Sequence, residues 1–399
     1  MATITTGEEI CRCIDLSLEN ISQNGLYQDL AHKNTSLRVA EIAHQTMRTE
    51  VSRLVTSELY DFADPNCRQV EYKIKYDEPD CTGAKDCETV VFGCEDGVAQ
   101  YKKKLSDTLT VTKCVADETS IAANDFCLDG VNVSEQGFKL LRDMVKRMYV
   151  AYNKELTKCI LLKPGSCFGG TDSTTIDPIS LPLFKPGDNN CLLPQPQGLA
   201  FAKSEYAKMG VVDLTQVITL SGSNYFNHLS MITPLYQGNT DGLDMTKMSG
   251  MGPIVYDMVV SECLKEMGAP TGGDGAITFP VGAMHLLEHF HFSSEYISAT
   301  PGDRNIYGIS GEVSSSSELF RGVVDVGPMI GLERGVFVID LEIKYNSCTI
   351  GGHLTFRGKK LFDVWCPKQD AWCEGDFWNY ILLHQLECRP IVCAEITGK

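Results

Sequence analysis

The chain has 399 residues, of which 43% are hydrophobic, so it can bury a substantial core and most of it is not disordered. It carries 35 Lys and Arg against 52 Asp and Glu, a net charge of −17, which excludes a general electrostatic affinity for nucleic acid or an anionic membrane. The first residues lack a basic segment followed by an apolar one, so we expect a soluble chain that is neither exported nor cleaved.

Cysteine is the unusual feature of the composition, at 17 residues. None of the spacings is the Cys-x2-Cys pair that structural zinc favours, because two thiolates must reach one tetrahedral ion from a tight turn. We expect most of these thiols to be small buried side chains in a reducing compartment. The alternative, that some cysteines pair after the chain enters an assembled object, stays open.

The first regular pattern predicts an amphipathic helix over residues 37–62. Apolar residues recur there at steps of three and four, with arginines and glutamates between them. Together they define one apolar face, which consists of Val39, Ile42, Ala43, Met47, Val51, Leu54, Val55, Leu59 and Phe62. We expect the helix to stop before Pro65, because proline cannot donate to the helix ladder.

After this helix the hydrophobic period changes to two, which predicts strands. Apolar and charged residues alternate over Val70–Tyr76, an apolar return follows at Thr89–Phe92, and a second alternating run ends at Val111. The result is a long, charged, hairpin-like ribbon with little apolar surface of its own. Because such a ribbon is marginally stable alone, we expect a surface outside this chain to cover it.

Residues Ser134–Leu162 carry the clearest helical pattern. Their apolar stripe consists of Phe138, Leu141, Val145, Met148, Tyr152, Leu156 and Cys159. Ser134 is predicted to cap the first turn, and Pro164 ends the helix. At about 1.5 Å per residue the helix spans about 43 Å, a length that usually crosses a whole domain as its spine.

The rest of the chain is mixed in pattern. Residues 163–198 are rich in proline and glycine and read as irregular extended chain. Short helices are predicted at Ile254–Met267 and Ala283–His289, on either side of a strand at Ala276–Phe279. The last part is β-rich, with strands predicted at Val336–Tyr345, Leu354–Trp365 and Tyr380–Ile396.

One motif has the form of a catalytic site. His285, Glu288 and His289 fit His-x-x-Glu-His, and the surrounding sequence resembles the inverted-zincin signature of the insulinase and pitrilysin family. That resemblance implies a zinc peptidase in which two histidines bind the metal and the glutamate activates water. Only 110 residues follow the motif, mostly strand-like, and no third ligand can be named among them. The competing hypothesis is a helix that packs Met284, Leu287 and Phe290 inward and leaves its histidines hydrated.

Other catalytic and cofactor signatures are absent from the sequence. There is no phosphate-binding Gly-x4-Gly-Lys-Ser/Thr loop, no Gly-x-Ser-x-Gly nucleophile elbow, no dinucleotide-binding Gly-x-Gly-x-x-Gly and no calcium loop. The sequence therefore assigns no catalytic residue, no cofactor and no metal ligand, and we expect no enzymatic activity.

The order of elements resembles that of the major capsid proteins of tailed bacteriophages, which have the HK97-like fold. The resemblance covers nearly the whole chain and implies five parts. These are an N-terminal arm (1–62), an extended β-hairpin or E-loop (63–133), a spine helix with the start of a peripheral domain (134–198), a central axial domain (199–330) and a β-rich return to the peripheral domain (331–399).

Two local segments add to this resemblance. Residues 277–288 look like the strand-Pro-helix step of the central domain in such proteins. Residues 338–348, followed by 361–365, are similar to a cysteine-bearing ending associated with capsid proteins of phages that infect Bacteroidetes. The fold class expected is therefore α+β.

The resemblance implies a shell protein that self-assembles into hexamers and pentamers of an icosahedral head. Its expected partners are copies of itself and other virion proteins, such as portal or decoration proteins. It would enclose double-stranded DNA without binding it specifically, contact no membrane and be assembled in the host cytoplasm. Two alternatives remain, a zinc metallopeptidase using the motif above and a phage tail or filament subunit.

Overall fold

The structure of the protein is a computed structural model. It describes residues 38–47, 56–60, 70–77, 104–111, 113–128, 132–162, 179–182, 184–186, 192–194, 217–222, 254–256, 258–266, 275–280, 284–290, 310–313, 317–326, 335–348, 351–365 and 392–397.

The fold class is α+β, as predicted, because helices pack on largely antiparallel sheets. The described helices are α1 (Arg38–Thr46), α2 (Ala123–Phe126), α3 (Glu135–Leu162) and α4 (Met258–Glu266). The described strands are β1 (Thr56–Tyr60), β2 (Val70–Asp77), β3 (Lys104–Val111), β4 (Lys113–Ala122), β5 (Cys127–Leu128), β6 (Asn132–Val133), β7 (Ile179–Pro182), β8 (Phe184–Pro186), β9 (Leu192–Pro194), β10 (Val217–Ser221), β11 (Ile254–Tyr256), β12 (Gly275–Pro280), β13 (His285–His289), β14 (Ser310–Val313), β15 (Ser317–Asp325), β16 (Val338–Asn346), β17 (His353–Trp365) and β18 (Val392–Thr397).

The main sheet is organised around the 13-residue strand β17. One edge of β17 pairs with β4, and the other edge pairs first with β16 and then with β13. Strands β15 and β14 continue the sheet beyond β16. The predicted strands at Val336–Tyr345 and Leu354–Trp365 are thereby confirmed as β16 and β17, with boundaries shifted by one or two residues.

Helix α3 lies against this sheet and forms the centre of the core. The hydroxyl Oγ of Ser134 accepts a hydrogen bond from the N–H of Gly137 at 2.9 Å, so the predicted N-cap is present. Six of the seven predicted stripe residues are buried, and Phe138 packs at the margin of the core. Gly358 of β17 allows the close approach, because a Cβ there would collide with Met148 of the helix. The 28 residues of α3 span about 42 Å, which confirms the predicted spine.

Helix α1 is fixed to α3 by a buried hydrogen bond. The N–H of Ala40 donates to Oδ1 of Asn153 at 3.0 Å, and Asn153 is 1% exposed. An N–H in the first turn has no acceptor within its own helix, so the amide of α3 takes the role of a remote cap. Val39, Ala43 and Met47 are buried on the same docked face, which confirms the start of the predicted amphipathic helix.

Replacing Asn153 by Leu is expected to loosen α1. The change leaves the N–H of Ala40 buried without its acceptor, which costs about 1–3 kcal/mol of the free energy of unfolding. A nine-residue helix is marginal without its docking contacts, so its amide protection should fall most. Urea unfolding and hydrogen exchange measure both effects. Asn153→Ser, which keeps an uncharged acceptor oxygen, is the rescue variant. Unchanged exchange in Asn153→Leu would contradict the capping role.

Strands β1, β2 and β3 form a separate three-stranded antiparallel sheet. The predicted strand at Val70–Tyr76 is confirmed as β2, and the second alternating run is confirmed as β3. The helix predicted over 37–62 is wrong at residues 56–60, which form β1 and pair with β2, and residues 48–55 and 61–62 lie outside the described part. The apolar return at Thr89–Phe92 lies outside the described residues.

A second sheet has the order β11–β10–β12–β18–β7, with parallel pairing only at its two ends. The predicted strand at Ala276–Phe279 is confirmed as β12. The helix predicted at Ile254–Met267 is partly wrong, since its first three residues form strand β11 and the helix α4 begins at Met258. The end of the strand predicted at Tyr380–Ile396 is present as β18, and residues 366–391 lie outside the described part.

The helix predicted at Ala283–His289 is wrong. Residues 285–289 form strand β13, which pairs antiparallel with the end of β17. The strand-Pro-helix step expected over residues 277–288 is therefore strand β12 followed by strand β13. Both faces of β13 are largely buried, so its sequence lacks the polar alternation that marks a half-exposed strand. None of the described helices has the length and apolar character needed to cross a membrane.

Candidate functional site

The His-x-x-Glu-His motif lies on strand β13 and not on a helix. Successive side chains of a strand point to opposite faces, so Glu288 lies on the face opposite His285 and His289. The two histidine Cα atoms are separated by four residues, or about 13 Å at about 3.3 Å per residue. A zinc ion needs its ligand nitrogens about 2.0–2.1 Å away, which histidines one helical turn apart would supply and these do not.

The competing hypothesis, which expected hydrated histidines, is also wrong. His285 is fully buried and His289 is 5% exposed. Within the described segments, no group of three or more His, Cys, Asp or Glu side chains is arranged to hold a metal ion. The geometry that the inverted-zincin resemblance implied is therefore not formed by these three residues.

Glu288 of the motif instead forms a buried ion pair with Lys360. Nζ of Lys360, on the neighbouring strand β17, lies 2.6 Å from Oε1 of Glu288, and the two side chains are 0% and 4% exposed. Lys360 also donates to the backbone carbonyl of Val338 at 2.9 Å. The hydroxyl of Tyr152 on α3 donates to the same Glu288 oxygen at 3.2 Å. The pair therefore ties together β13, β17, β16 and the spine helix.

Aromatic rings surround the ammonium group of Lys360. Its Nζ lies 4.9 Å from the ring centroid of Tyr152, 5.3 Å from that of Phe290 and 5.5 Å from that of Phe337. A cation near the face of a desolvated ring gains about 2 kcal/mol. These contacts offset part of the cost of removing the charge from water, and the carboxylate of Glu288 offsets more.

The opposite face of the same strand pair holds a second polar group. His285 stacks on Trp365, with ring centroids 5.2 Å apart and planes at 26°. Neither ring nitrogen of His285 has a hydrogen-bond partner among the described residues. Burial lowers the pKa of His285 from 6.5 to about 4, because the charged form loses its hydration. Nearby, the carboxylate of Asp363 accepts the N–H of Val364 at 2.7 Å.

We call these five buried titratable residues the polar seam: His285, Glu288, His289, Lys360 and Asp363. All of them lie on strands β13 and β17. The pairing of these strands matches His285 with Trp365 and His289 with Leu361, and Lys360 is the next residue of β17 beyond that pairing. Because the seam is closed to solvent, its charges act on packing and orientation, and it offers no open position to a substrate. The arrangement can hold two strands and a helix in one geometry.

Sequence analysis missed Lys360, although a signal was present. Every second residue of β17 faces α3, and on this face Lys360 is the one charged residue among apolar neighbours. All of these residues are buried: Leu354, Phe356, Gly358, Lys360, Phe362 and Val364. A lysine on an otherwise apolar strand face indicates a buried charge and calls for a partner. The identity of that partner depends on which strand lies beside β17, which periodicity alone does not reveal.

The described cysteine side chains agree in part with the expectation of burial. Cys159 and Cys263 are buried, Cys114 is half-buried and Cys348 is exposed. Burial raises the pKa of Cys263 to about 11, so its thiol stays protonated near neutral pH and is a poor nucleophile. These two buried thiols behave as small core side chains.

Outside the core, charged side chains link the spine helix to its neighbours. Nε of Arg147 lies 2.7 Å from a carboxylate oxygen of Asp117 on β4. Lys158 lies 3.5 Å from Glu266 on α4. On the exposed face of the sheet, Arg357 donates to Glu118 from both Nε and Nη2, at 3.0 and 2.8 Å. Each exposed ion pair contributes little to the free energy of unfolding. These pairs nevertheless show where elements of the chain lie side by side.

The register of the three-stranded sheet indicates which of its residues share a face. Its register pairs Val70 with Val111, Tyr72 with Leu109 and Tyr76 with Leu105. Directly paired residues share a face, so the alternating apolar positions of β2 and β3 fall on one side of the sheet. Strand β1 adds Leu59 opposite Tyr72. One face of this sheet is therefore predominantly apolar in sequence.

Solved structures that are similar to this chain include a virus-like particle and two bacteriophage structures. A virus-like particle from Pyrococcus furiosus shares 7% identity over 74% of this chain and 81% of that chain, with a TM-score of 0.35. The mature capsid of bacteriophage PhiM1 shares 9% identity over 82% of each chain, with a TM-score of 0.36. A structure described as Mycobacterium phage Che8 shares 8% identity over 96% of this chain and 92% of that chain, with a TM-score of 0.35.

No protein-family model matches the chain, and no curated protein matches it. TM-scores below 0.5 mark distant likenesses, so a function for this chain has to be supported by its own geometry.

Proposed function

We propose that the chain is the major shell protein of a bacteriophage head and acts by self-assembly. The observation that carries the proposal is the separate three-stranded sheet, whose apolar positions share one face. Covering the apolar face of a sheet stabilises it, because apolar surface is removed from water. In a shell, a neighbouring copy of the same chain supplies that cover.

The rest of the fold suits a rigid building block. The spine helix packs along the main sheet, and the polar seam ties it to β13 and β17 through Tyr152, Glu288 and Lys360. A buried ion pair adds little net stability over apolar packing, so the role proposed for this one is to fix the relative orientation of the strands and the helix. Subunits that must repeat one contact geometry around a closed particle need such fixed orientation.

The charge of the chain also suits a container for DNA. At a net charge of −17, its long-range field repels phosphate, so packaged DNA would be enclosed without tight or specific binding. The proposal includes hexamers and pentamers of the chain, contacts with portal or decoration proteins, and assembly in the host cytoplasm. It keeps the division into an arm (1–62), an E-loop (63–133), a spine segment (134–198), an axial domain (199–330) and a β-rich return (331–399).

The test is whether the apolar face of the three-stranded sheet is needed for assembly. Tyr72→Gln with Ile74→Gln, or deletion of Val70–Tyr76, should leave a folded monomer that forms no closed shells. Lys73→Gln with Lys75→Gln is the matched control, because these positions lie on the opposite face of β2. Sedimentation velocity and negative-stain microscopy follow assembly, and circular dichroism checks folding.

Three results would contradict the proposal. Normal shells from the Tyr72 and Ile74 variant would refute the role of the sheet. Tubes in place of closed particles would favour the tail or filament alternative. A wild-type chain that stays monomeric at high concentration would refute self-assembly altogether.

A further inference from the structure

The pairing of β13 with β17 places ionisable side chains on both faces of the main sheet. Paired residues share a face, so His285 lies beside Trp365, and His289 and Asp363 lie on that same face. Glu288 lies on the opposite face, towards α3. The four residues on the face away from α3 are all buried. This end of the sheet therefore contains titratable groups on a face that water does not reach.

His285 is the least satisfied of these groups. Its imidazole is fully buried and stacks on Trp365, and among the described residues neither Nδ1 nor Nε2 has a hydrogen-bond partner. A buried polar group without a partner is costly, and a buried charge without a partner is costlier still. Burial alone lowers the pKa of His285 to about 4, and Asp363 and His289 do not contribute to the shift. The closed structure therefore accepts the neutral ring and penalises the charged one.

The position of His285 in the sheet determines what its protonation can open. It forms the first of the five residue pairs that join β13 to β17, and its partner Trp365 is the last residue of β17. In the described sheet β13 lies at the outside of the strand order, with β17 as its neighbour. The other edge of β17 is held by ten residue pairs with β4. Separation of β13 from β17 can therefore begin at His285 and leave the pairs between β4 and β17 in place.

We propose that His285 is a pH-sensitive switch, whose protonation separates the start of β13 from the end of β17 while the remainder of the main sheet stays folded. The imidazolium regains its hydration only when Trp365 no longer covers it, so proton uptake and strand separation are coupled. Glu288 lies three residues further along β13, so continued separation admits water to its ion pair with Lys360. The switch operates within a single chain and does not depend on the proposed function.

Other ionisable groups at this end of the sheet have to be separated from His285 by control variants. These groups are His289 and Glu288 on β13, Asp363 and Lys360 on β17, and Tyr152 on α3. Asp363→Asn removes the carboxylate on the same face and keeps an oxygen acceptor for the N–H of Val364. His289→Gln removes the second imidazole of that face. Because both controls retain His285, both should keep the response to acid.

The test is hydrogen exchange of backbone amides in the full chain at pH 7 and pH 5, with each rate divided by the intrinsic exchange rate at that pH. The open form binds the proton more readily, so acid favours it. A pKa of about 4 in the closed structure and 6.5 in the open one predicts that the opening constant of residues 285–289 rises about twentyfold at pH 5. Amides of β4 and β16 should change by less than about twofold. His285→Phe cannot take up a proton and should abolish the rise, and His285→Leu is a second non-titrating variant in case phenylalanine disturbs the packing.

A rise that is confined to β13, absent from both His285 variants and retained in Asp363→Asn and His289→Gln supports the switch. Equal protection of β13 at the two pH values in the wild type would overturn it. A rise that persists in both His285 variants would overturn it in favour of another titrating group, and a rise shared equally by β4 and β16 would overturn it in favour of global unfolding. Exchange is measured whether or not the chains assemble, so failure of the switch leaves the proposed function standing.

Discussion

Replacing Lys360 by Met is expected to lower the free energy of unfolding by about 3–5 kcal/mol. The substitution leaves the carboxylate of Glu288 buried without its counterion, 2.6 Å from where the ammonium had been. Glu288→Gln should cost a similar amount, because it leaves a buried ammonium among Tyr152, Phe290 and Phe337. Urea unfolding at 25 °C measures both losses.

The double variant distinguishes a buried ion pair from ordinary packing. Lys360→Met with Glu288→Gln removes both charges and keeps an amide oxygen as acceptor for the hydroxyl of Tyr152. We expect it to recover more than half of the loss seen in either single variant, since no uncompensated charge remains. Additive losses in the double variant would show that the two side chains are not coupled.

Acidification from pH 7 to pH 4 is expected to remove about 3 kcal/mol of stability through His285 alone. The pKa of His285 is lowered from 6.5 to about 4 by burial, so the unfolded chain binds the proton more readily than the folded chain. The stability contribution is present above pH 6.5 and is lost as the pH falls towards 4. Below pH 4 the folded protein is protonated as well, and the loss levels off.

His285→Phe isolates this effect from the titration of carboxylates. Phenylalanine keeps an aromatic ring against Trp365 and cannot take up a proton. The stability difference between pH 7 and pH 4 should therefore be about 3 kcal/mol smaller in the variant than in the wild type. His353→Phe, at an exposed position of β17, is the control. Parallel pH profiles for wild type and His285→Phe would count against the buried histidine as the cause.

The elements that sequence predicted well are those with one buried and one polar face. The sequence predicts the spine helix to within a residue, because the apolar stripe from Phe138 to Cys159 is unbroken and a serine caps the helix. Strands β2 and β16 were found by strict alternation. In each case only one face of the element is buried, so apolar residues recur in the sequence with the period of that helix or strand.

The elements that are predicted wrongly do not have apolar residues spaced at the period of the observed element. Strand β13 is buried on both faces, and its polar residues stand at the three and four residue spacing that also marks a helix. Residues 56–60 continue the apolar spacing of α1, but pairing with β2 makes them a strand. Within the polar seam, Glu288 and Lys360 are 72 residues apart, and only the pairing of β13 with β17 brings them together.

A single residue separates β3, in the three-stranded sheet, from β4, in the main sheet. A pulling force on the three-stranded sheet is therefore transmitted along β4 to the ten residue pairs that β4 forms with β17. The hydrogen bonds of such a ladder lie across the strands, so a lengthwise force loads them in shear and they must break together. In the proposed shell, this connection would be an internal tether that bears tension between neighbouring copies of the chain.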